Sequence, residues 1–166
     1  MAAKFAREHK KPYLGLCLGM QVATIEFARH VLNVSDVNST EFNPKTANPV
    51  IHILPGHTET EDKGGTLRLG SYPCVLDKDS LSFKAYQKPR IDERHRHRYE
   101  FNMDYKEKLE AAGLRIAGIS PDKRLVEIIE LKNHPYFVAS QFHPEFKSRP
   151  FRPHPLFREF IKSSLK

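Results

Sequence analysis

Cysteine is scarce in this chain: only Cys17 and Cys74 occur among 166 residues. They stand far apart and fit no zinc-ligand spacing, which favours reduced thiols in an intracellular protein over a disulfide framework. Cys74, between Pro73 and Val75, reads as structural. Long apolar runs are also lacking. None approaches the roughly 20 residues of a membrane span, and the opening Met1 to Arg7 has no apolar core of a secretory signal. A short basic start can open a transit peptide, but Glu8 and the immediate passage into a strand argue against one. The cytosol is the expected location, with no membrane partner. Repeats and low-complexity linkers are absent too. What is present, 39% hydrophobic and 28% charged residues, suits one globular domain with a sizeable core.

Acidic residues fall short of basic ones, 20 against 27, giving a net charge of +7. Such a balance raises nucleic acid as a partner, and Arg94-His95-Arg96-His97-Arg98 looks at first like a basic patch. That block is short, lies between Glu93 and Glu100, and has no recognisable nucleic-acid fold around it. No nucleic-acid partner is expected. The charge suits anionic small molecules, nucleotides among them.

Cys17 stands in Gly15-Leu16-Cys17-Leu18-Gly19, after the apolar run Tyr13 to Leu16 and before the helix-like stretch Met20 to Val31. A nucleophile flanked by glycines between strand and helix is the pattern of a nucleophile elbow, with room beside it only for residues lacking a bulky Cβ branch. The helix start beneath it is expected to lower the thiol pKa. A buried cysteine at a glycine-containing strand end fits the same residues.

Far downstream, Tyr136 to Phe142 reads as a buried strand that runs into His143-Pro144-Glu145. A histidine at a strand end can take a thiol proton while a carboxylate two residues on fixes its tautomer. Alone, His-Pro-Glu is an ordinary turn; coupled to a cysteine elbow in a chain that alternates strands and helices, it reads as catalytic.

Between these points, helices are expected over Ala3 to Lys10, Asp79 to Tyr86, Asp104 to Ala112 (stopped by Gly113) and Pro155 to Lys166. Strands are expected over Val50 to Leu54, through Cys74 to Leu76, and over Leu114 to Ile119 and Leu125 to Leu131. Asn33 to Pro49 reads as loop, and Pro55 to Gly65 as a charged, glycine-containing loop that could serve as a lid or as a plain surface insertion. The pattern indicates an α/β sandwich.

Gly15 to Gln21 and Gln141 to Glu145 resemble the two hallmark segments of the class I glutamine amidotransferases. Asn38 to Phe42, Gly64 to Gly70 and Glu93 to Glu100 are similar, in order, to one branch of that family, in which the domain serves a synthetase that aminates UTP. The resemblance implies a flavodoxin-like α/β fold with a central, mostly parallel sheet. It implies that Cys17 attacks the side-chain amide of L-glutamine, that His143 acts as base and then acid, and that Glu145 orients His143. Leu18 would supply an oxyanion donor from its backbone. Gln21, Glu41 and Arg98 would bind the substrate, Glu41 facing its α-ammonium and Arg98 its α-carboxylate. Each of the three has a plain structural reading as well: a helix-surface amide, a solvated loop charge and a member of an ion-pair network.

The resemblance further implies no metal or cofactor within residues 1–166. ATP and magnesium would act in a separate synthetase domain, GTP would promote glutamine hydrolysis, and the full-length enzyme would be a homotetramer. Complete domains of this kind begin earlier, with strands and a glycine-rich loop carrying a second oxyanion donor. The expectation is therefore a truncated domain with an open sheet edge and weak or no activity alone. Another class I amidotransferase, a γ-glutamyl hydrolase and a non-catalytic assembly module are the alternatives.

Overall fold

The computed structural model describes residues 1–53 and 68–165. The lid-like segment Pro55 to Gly65 lies outside them. In chain order the elements are α1 (Ala2–Glu8), β1 (Tyr13–Leu16), α2 (Leu18–Leu32), β2 (Val37–Ser39), β3 (Asn48–Ile53), β4 (Arg68–Leu76), α3 (Leu81–Tyr86), β5 (Arg90–His97), β6 (Tyr99–Phe101), α4 (Lys106–Ala111), β7 (Leu114–Ile119), β8 (Val126–Leu131), β9 (Phe137–Ser140) and α5 (Pro155–Ser164). Local chemistry sets several boundaries. Asn33 ends α2 in the left-handed region at φ 52°, Ser80 caps α3 by accepting from the Phe83 N–H, and Gly113 follows α4 at φ 111°.

Among the described residues, six strands form one sheet in the order β1-β9-β8-β7-β4-β5, and β2-β3-β6 form a second, smaller sheet. Strand β8, Val-Glu-Ile-Ile-Glu-Leu, is buried along its whole length. Its alternate side chains serve opposite faces. Ile129 joins Phe137 and Ala139 against a layer built from α1, α2 and α4, whereas Ile128 joins Val138 against Leu156 of α5 and Ala85 of α3. Helices thus cover both faces, as the α/β sandwich reading requires.

The expectation of a mostly parallel sheet fails. Among the described residues only β1 with β9 and β2 with β3 run parallel; β9-β8, β8-β7, β7-β4, β4-β5 and β3-β6 are all antiparallel. The cause is connection length: a few residues join β7 to β8 and β8 to β9, too few for the crossover that a parallel neighbour needs. At the β1 end of the large sheet, β9 is the strand's sole sheet neighbour among the described residues.

The block Arg94 to Arg98 is not a patch either. It belongs mainly to edge strand β5, whose residues alternate outward and inward, so that Arg94 and Arg96 are exposed while His95 and His97 are buried.

Candidate active site

Parallel pairing of β1 with β9 assembles the site. Leu16 lies opposite Ser140, the Cys17 N–H donates to the Ser140 carbonyl at 2.7 Å, and both chains then leave the sheet at the same end. One delivers Cys17 and the other, three residues on, delivers His143. Cys17 has φ 49° and ψ −103°, a conformation that costs a non-glycine residue of order 1–3 kcal/mol and holds its side chain above the sheet.

The glycines flanking the elbow are not equivalent. A Cβ on Gly15 would lie 2.8 Å from the carbonyl carbon and oxygen of Gly19 and 2.8 Å from Tyr13 Cε1, so the turn closes only with glycine there. A Cβ on Gly19 would find nothing nearer than the Tyr13 hydroxyl at 3.8 Å. The expected demand for small residues holds on the strand side alone.

The thiol pKa is raised, contrary to expectation. Burial is the main cause, and the carboxylates of Glu145 and Glu100 add to it, against the opposing pull of the Leu18 N–H and the Gln141 amide. At rest Cys17 is a neutral thiol. Its sulfur faces the Arg96 carbonyl at 3.9 Å and receives the Gln141 Nε2–H at 3.8 Å.

The candidate base is paired with a carboxylate. His143 Nδ1 lies 2.7 Å from Glu145 Oε1. A carboxylate accepts, so Nδ1 donates the proton of this hydrogen bond, and in a neutral ring Nε2 is then the lone-pair nitrogen. That Nε2 is buried and has no hydrogen-bond partner among the described residues. The ring rests on Phe146, 5.3 Å between centroids, and the His143 N–H donates to the Arg94 carbonyl of β5 at 2.8 Å.

Beside the elbow opens a cleft of about 550 Å³ lined by Cys17, Leu18, Gln21, Glu41, Arg98 and Tyr99 together with Arg96 and His97. All four residues expected to meet substrate thus share one cavity with the candidate nucleophile. Glu41 is exposed, and Gln21 is buried at 3% exposure rather than lying on a helix surface. Gln21 Nε2 donates to the Tyr99 carbonyl at 3.0 Å and to Gln141 Oε1 at 3.4 Å, leaving its carbonyl oxygen as the group that can meet a ligand. Gln141 and Arg96 escaped the sequence reading as individual contributors. The signal for Gln141 was its place two residues before His143; Arg96 acts through its backbone, which no side-chain reading finds.

A buried ionic network backs the cleft. Arg68 Nη2 donates to Glu127 Oε1 at 2.6 Å and Nη1 to Glu100 Oε1 at 3.4 Å, and its guanidinium lies 4.6 Å from the Tyr72 ring centroid. His97 Nε2 meets Glu100 Oε1 at 2.6 Å. Burial, with Arg68 beside it, drops His95 to about 2, so it is neutral, and burial lifts Glu127 to about 7 despite Arg68. The described residues contain no cluster of three or more metal-ligating side chains and no helix long and apolar enough to cross a membrane.

A cysteine at a strand-helix elbow and a histidine-carboxylate pair at the same sheet end form the layout of a candidate thiol nucleophile with its base. The chain matches the family Glutamine amidotransferase class-I over residues 1–163, and it belongs to that family. It is 64% identical over 163 residues to the CTP synthase of Chloroflexus aurantiacus, covering 98% of this chain and 30% of the relative. With the CTP synthase of Herpetosiphon aurantiacus it shares 62% over 164 residues, covering 99% and 31%. Among solved structures, it resembles the acivicin-bound glutaminase domain of Trypanosoma brucei CTPS, with a TM-score of 0.91 at 39% identity over 99% of this chain and 64% of that one. A glutamine amidotransferase from Thermotoga maritima shares the fold at TM-score 0.51 and 18% identity, over 87% of this chain and 45% of that one. The chain therefore spans about a third of the length of the curated relatives it matches.

Proposed function

We propose that residues 1–166 are the elbow-bearing part of a glutamine amidotransferase domain of CTP synthase type, hydrolysing L-glutamine to glutamate and ammonia. The observation that carries this reading is the convergence of Cys17, Leu18, Gln21, Glu41 and Arg98 on one cleft.

Substrate binds with its α-carboxylate on Arg98 and its α-ammonium on Glu41, which directs the side-chain amide toward the sulfur. His143 Nε2 takes the Cys17 proton as the sulfur attacks the carboxamide carbon. The thiolate that burial disfavours therefore forms only beside an imidazolium, which Glu145 stabilises through Nδ1. The Leu18 N–H is the candidate donor to the tetrahedral oxyanion. Collapse breaks the C–N bond, His143 returns its proton to the departing ammonia, and a glutamyl thioester remains on Cys17. Water, deprotonated by His143, then releases glutamate and restores the thiol. The proton from His143 matters because the amide nitrogen leaves poorly until protonation lets it depart as ammonia.

In the longer protein, the ammonia would pass to a synthetase domain that uses ATP and magnesium to convert UTP to CTP, with GTP promoting the glutaminase step. On the same reading the full-length enzyme is a homotetramer of the cytosol. Support comes from the CTP synthase relatives and the sequence blocks Asn38 to Phe42 and Glu93 to Glu100.

Kinetics on three variants test the assignment. Cys17→Ala is expected to abolish glutamine hydrolysis. Arg98→Ala and Glu41→Ala are expected to raise KM by about 10–100-fold, the loss of one charge-assisted hydrogen bond each. Activity surviving in Cys17→Ala would sink the mechanism, and unchanged KM in both other variants would remove Glu41 and Arg98 from the substrate site.

A further inference from the structure

The segment that carries the candidate base has little apolar packing of its own. From Glu145 to Pro153 no residue is buried, and Phe146 and Phe151 are both exposed. Burial cannot hold this stretch in place, so polar anchors must. Its start is tied to β5 by the His143 N–H on the Arg94 carbonyl, 2.8 Å.

The remaining anchors converge on Glu93, an inward residue of β5 with 2% exposure. One carboxylate oxygen, Oε1, accepts from the Tyr86 hydroxyl at 2.9 Å and from His154 Nε2 at 3.0 Å, and Lys147 Nζ lies 3.8 Å from it. The His154 tautomer follows from its neighbours. Nδ1 accepts from the Leu156 N–H at 3.3 Å, where His154 caps α5, so Nε2 holds the proton and donates. Lys147 also donates to the Asp92 carbonyl, and the His154 N–H donates to Ser148 Oγ at 3.1 Å, linking the end of the segment to its middle. Glu93 Oε2 is buried with no hydrogen-bond partner among the described residues. Burying a carboxylate this deeply carries a substantial desolvation cost, which its two donors and the Lys147 ammonium offset.

We infer that Glu93 is a positioning residue for His143. By gathering Lys147, two residues beyond Glu145, and His154, at the start of α5, it presses the His143-Pro144-Glu145 turn onto β5 and fixes the position of the imidazole there. Its consequence for catalysis rests on the glutaminase reading; its consequence for the His143 ring does not.

The test is a histidine-ring 1H–15N correlation spectrum of the full chain, run beside glutamine kinetics. In the unaltered protein His143 is expected as the neutral Nδ1–H tautomer. Glu93→Ala is expected to move His143 toward a mixture of tautomers and to lower kcat about 10–100-fold, with KM changed less than about twofold. Glu93→Gln keeps an acceptor for Tyr86 and His154 and is expected to restore most of both. If circular dichroism shows Glu93→Ala unfolded, Lys147→Met at the surface decides, with a smaller shift in the same sense expected. An unchanged His143 tautomer in folded Glu93→Ala, or in Lys147→Met where that variant decides, overturns the inference. Absence of glutamine hydrolysis in the unaltered chain, the outcome expected of a truncated domain, leaves the ring spectra to decide Glu93.

Discussion

Replacing Gly15 by alanine should damage the molecule where replacing Gly19 does not, although the sequence shows both as glycines beside the same cysteine. At Gly15 the added methyl would sit 2.8 Å from two backbone atoms of Gly19 and 2.8 Å from Tyr13 Cε1. Backbone cannot step aside without shifting the first turn of α2, and the Tyr13 hydroxyl that donates to the Gly19 carbonyl at 2.8 Å ties the three residues together. Overpacking of this kind costs about 1–3 kcal/mol. For a chain of this size that lowers Tm by about 2–12 °C. At Gly19, inside the helix, the methyl meets only the Tyr13 hydroxyl at an ordinary contact distance and alanine is the better helix former, so stability should hold or rise by up to about 1 kcal/mol. Thermal and urea unfolding measure both. Moving α2 also moves the sulfur, so Gly15→Ala should slow reaction of Cys17 with a glutamine-like electrophile, while Gly19→Ala leaves it within about twofold. Equal stability of Gly15→Ala and the unaltered chain, or equal damage from both substitutions, would refute the close-contact account of the elbow.

Stability against pH should reveal two opposed buried groups. His95, held near 2, binds no proton in the fold although the unfolded chain binds one below about 6.5, so it raises stability with pH by about 1.4 kcal/mol per unit up to there. Glu127, held near 7, keeps its proton in the fold while the unfolded chain loses it above about 4.5, so it lowers stability by the same slope from there to about 7. The two nearly cancel between pH 4.5 and 6.5; urea titrations of His95→Gln and Glu127→Gln should show slopes of opposite sign. Alkylation of Cys17 by iodoacetamide, without glutamine, should keep accelerating above pH 9, because burial raises the thiol; a plateau near neutral pH would refute that. Glu130 accepts from the N–H groups of Leu81 and Ser82 and from the Ser82 hydroxyl while fully enclosed, so Glu130→Ala should cost about 3 kcal/mol in urea unfolding through the orphaned donors at the start of α3.

Much of the site was legible because its signals are local. Tyr13 to Leu16, the glycines around Cys17 and the apolar run before His143 each declare an element within a few residues, and both ends of the candidate machinery sit on such junctions. Strand β2 reads as loop in the sequence because three residues, Val37 to Ser39, carry no local periodicity and form a strand through pairing with β3. Strand β5 was hidden by its composition. An alternation of arginine and histidine resembles a solvated charge run until Arg68, Glu100 and Glu127 supply the buried partners that let His95 and His97 face inward. The raised thiol of Cys17 was illegible for a related reason: the carboxylates that oppose ionisation come from Glu100 and Glu145, more than 80 residues away in sequence.

The central claim, a glutamine-directed cysteine nucleophile, is tested most directly by covalent capture. The chain would be exposed at neutral pH to an electrophile shaped like glutamine, with and without excess L-glutamine, and mapped by intact mass and peptide mass spectrometry. The account predicts modification of Cys17 alone, suppressed by glutamine, with Cys74, fully enclosed beneath the sheet, untouched. Equal reaction at Cys17 and Cys74, indifferent to glutamine, would contradict it.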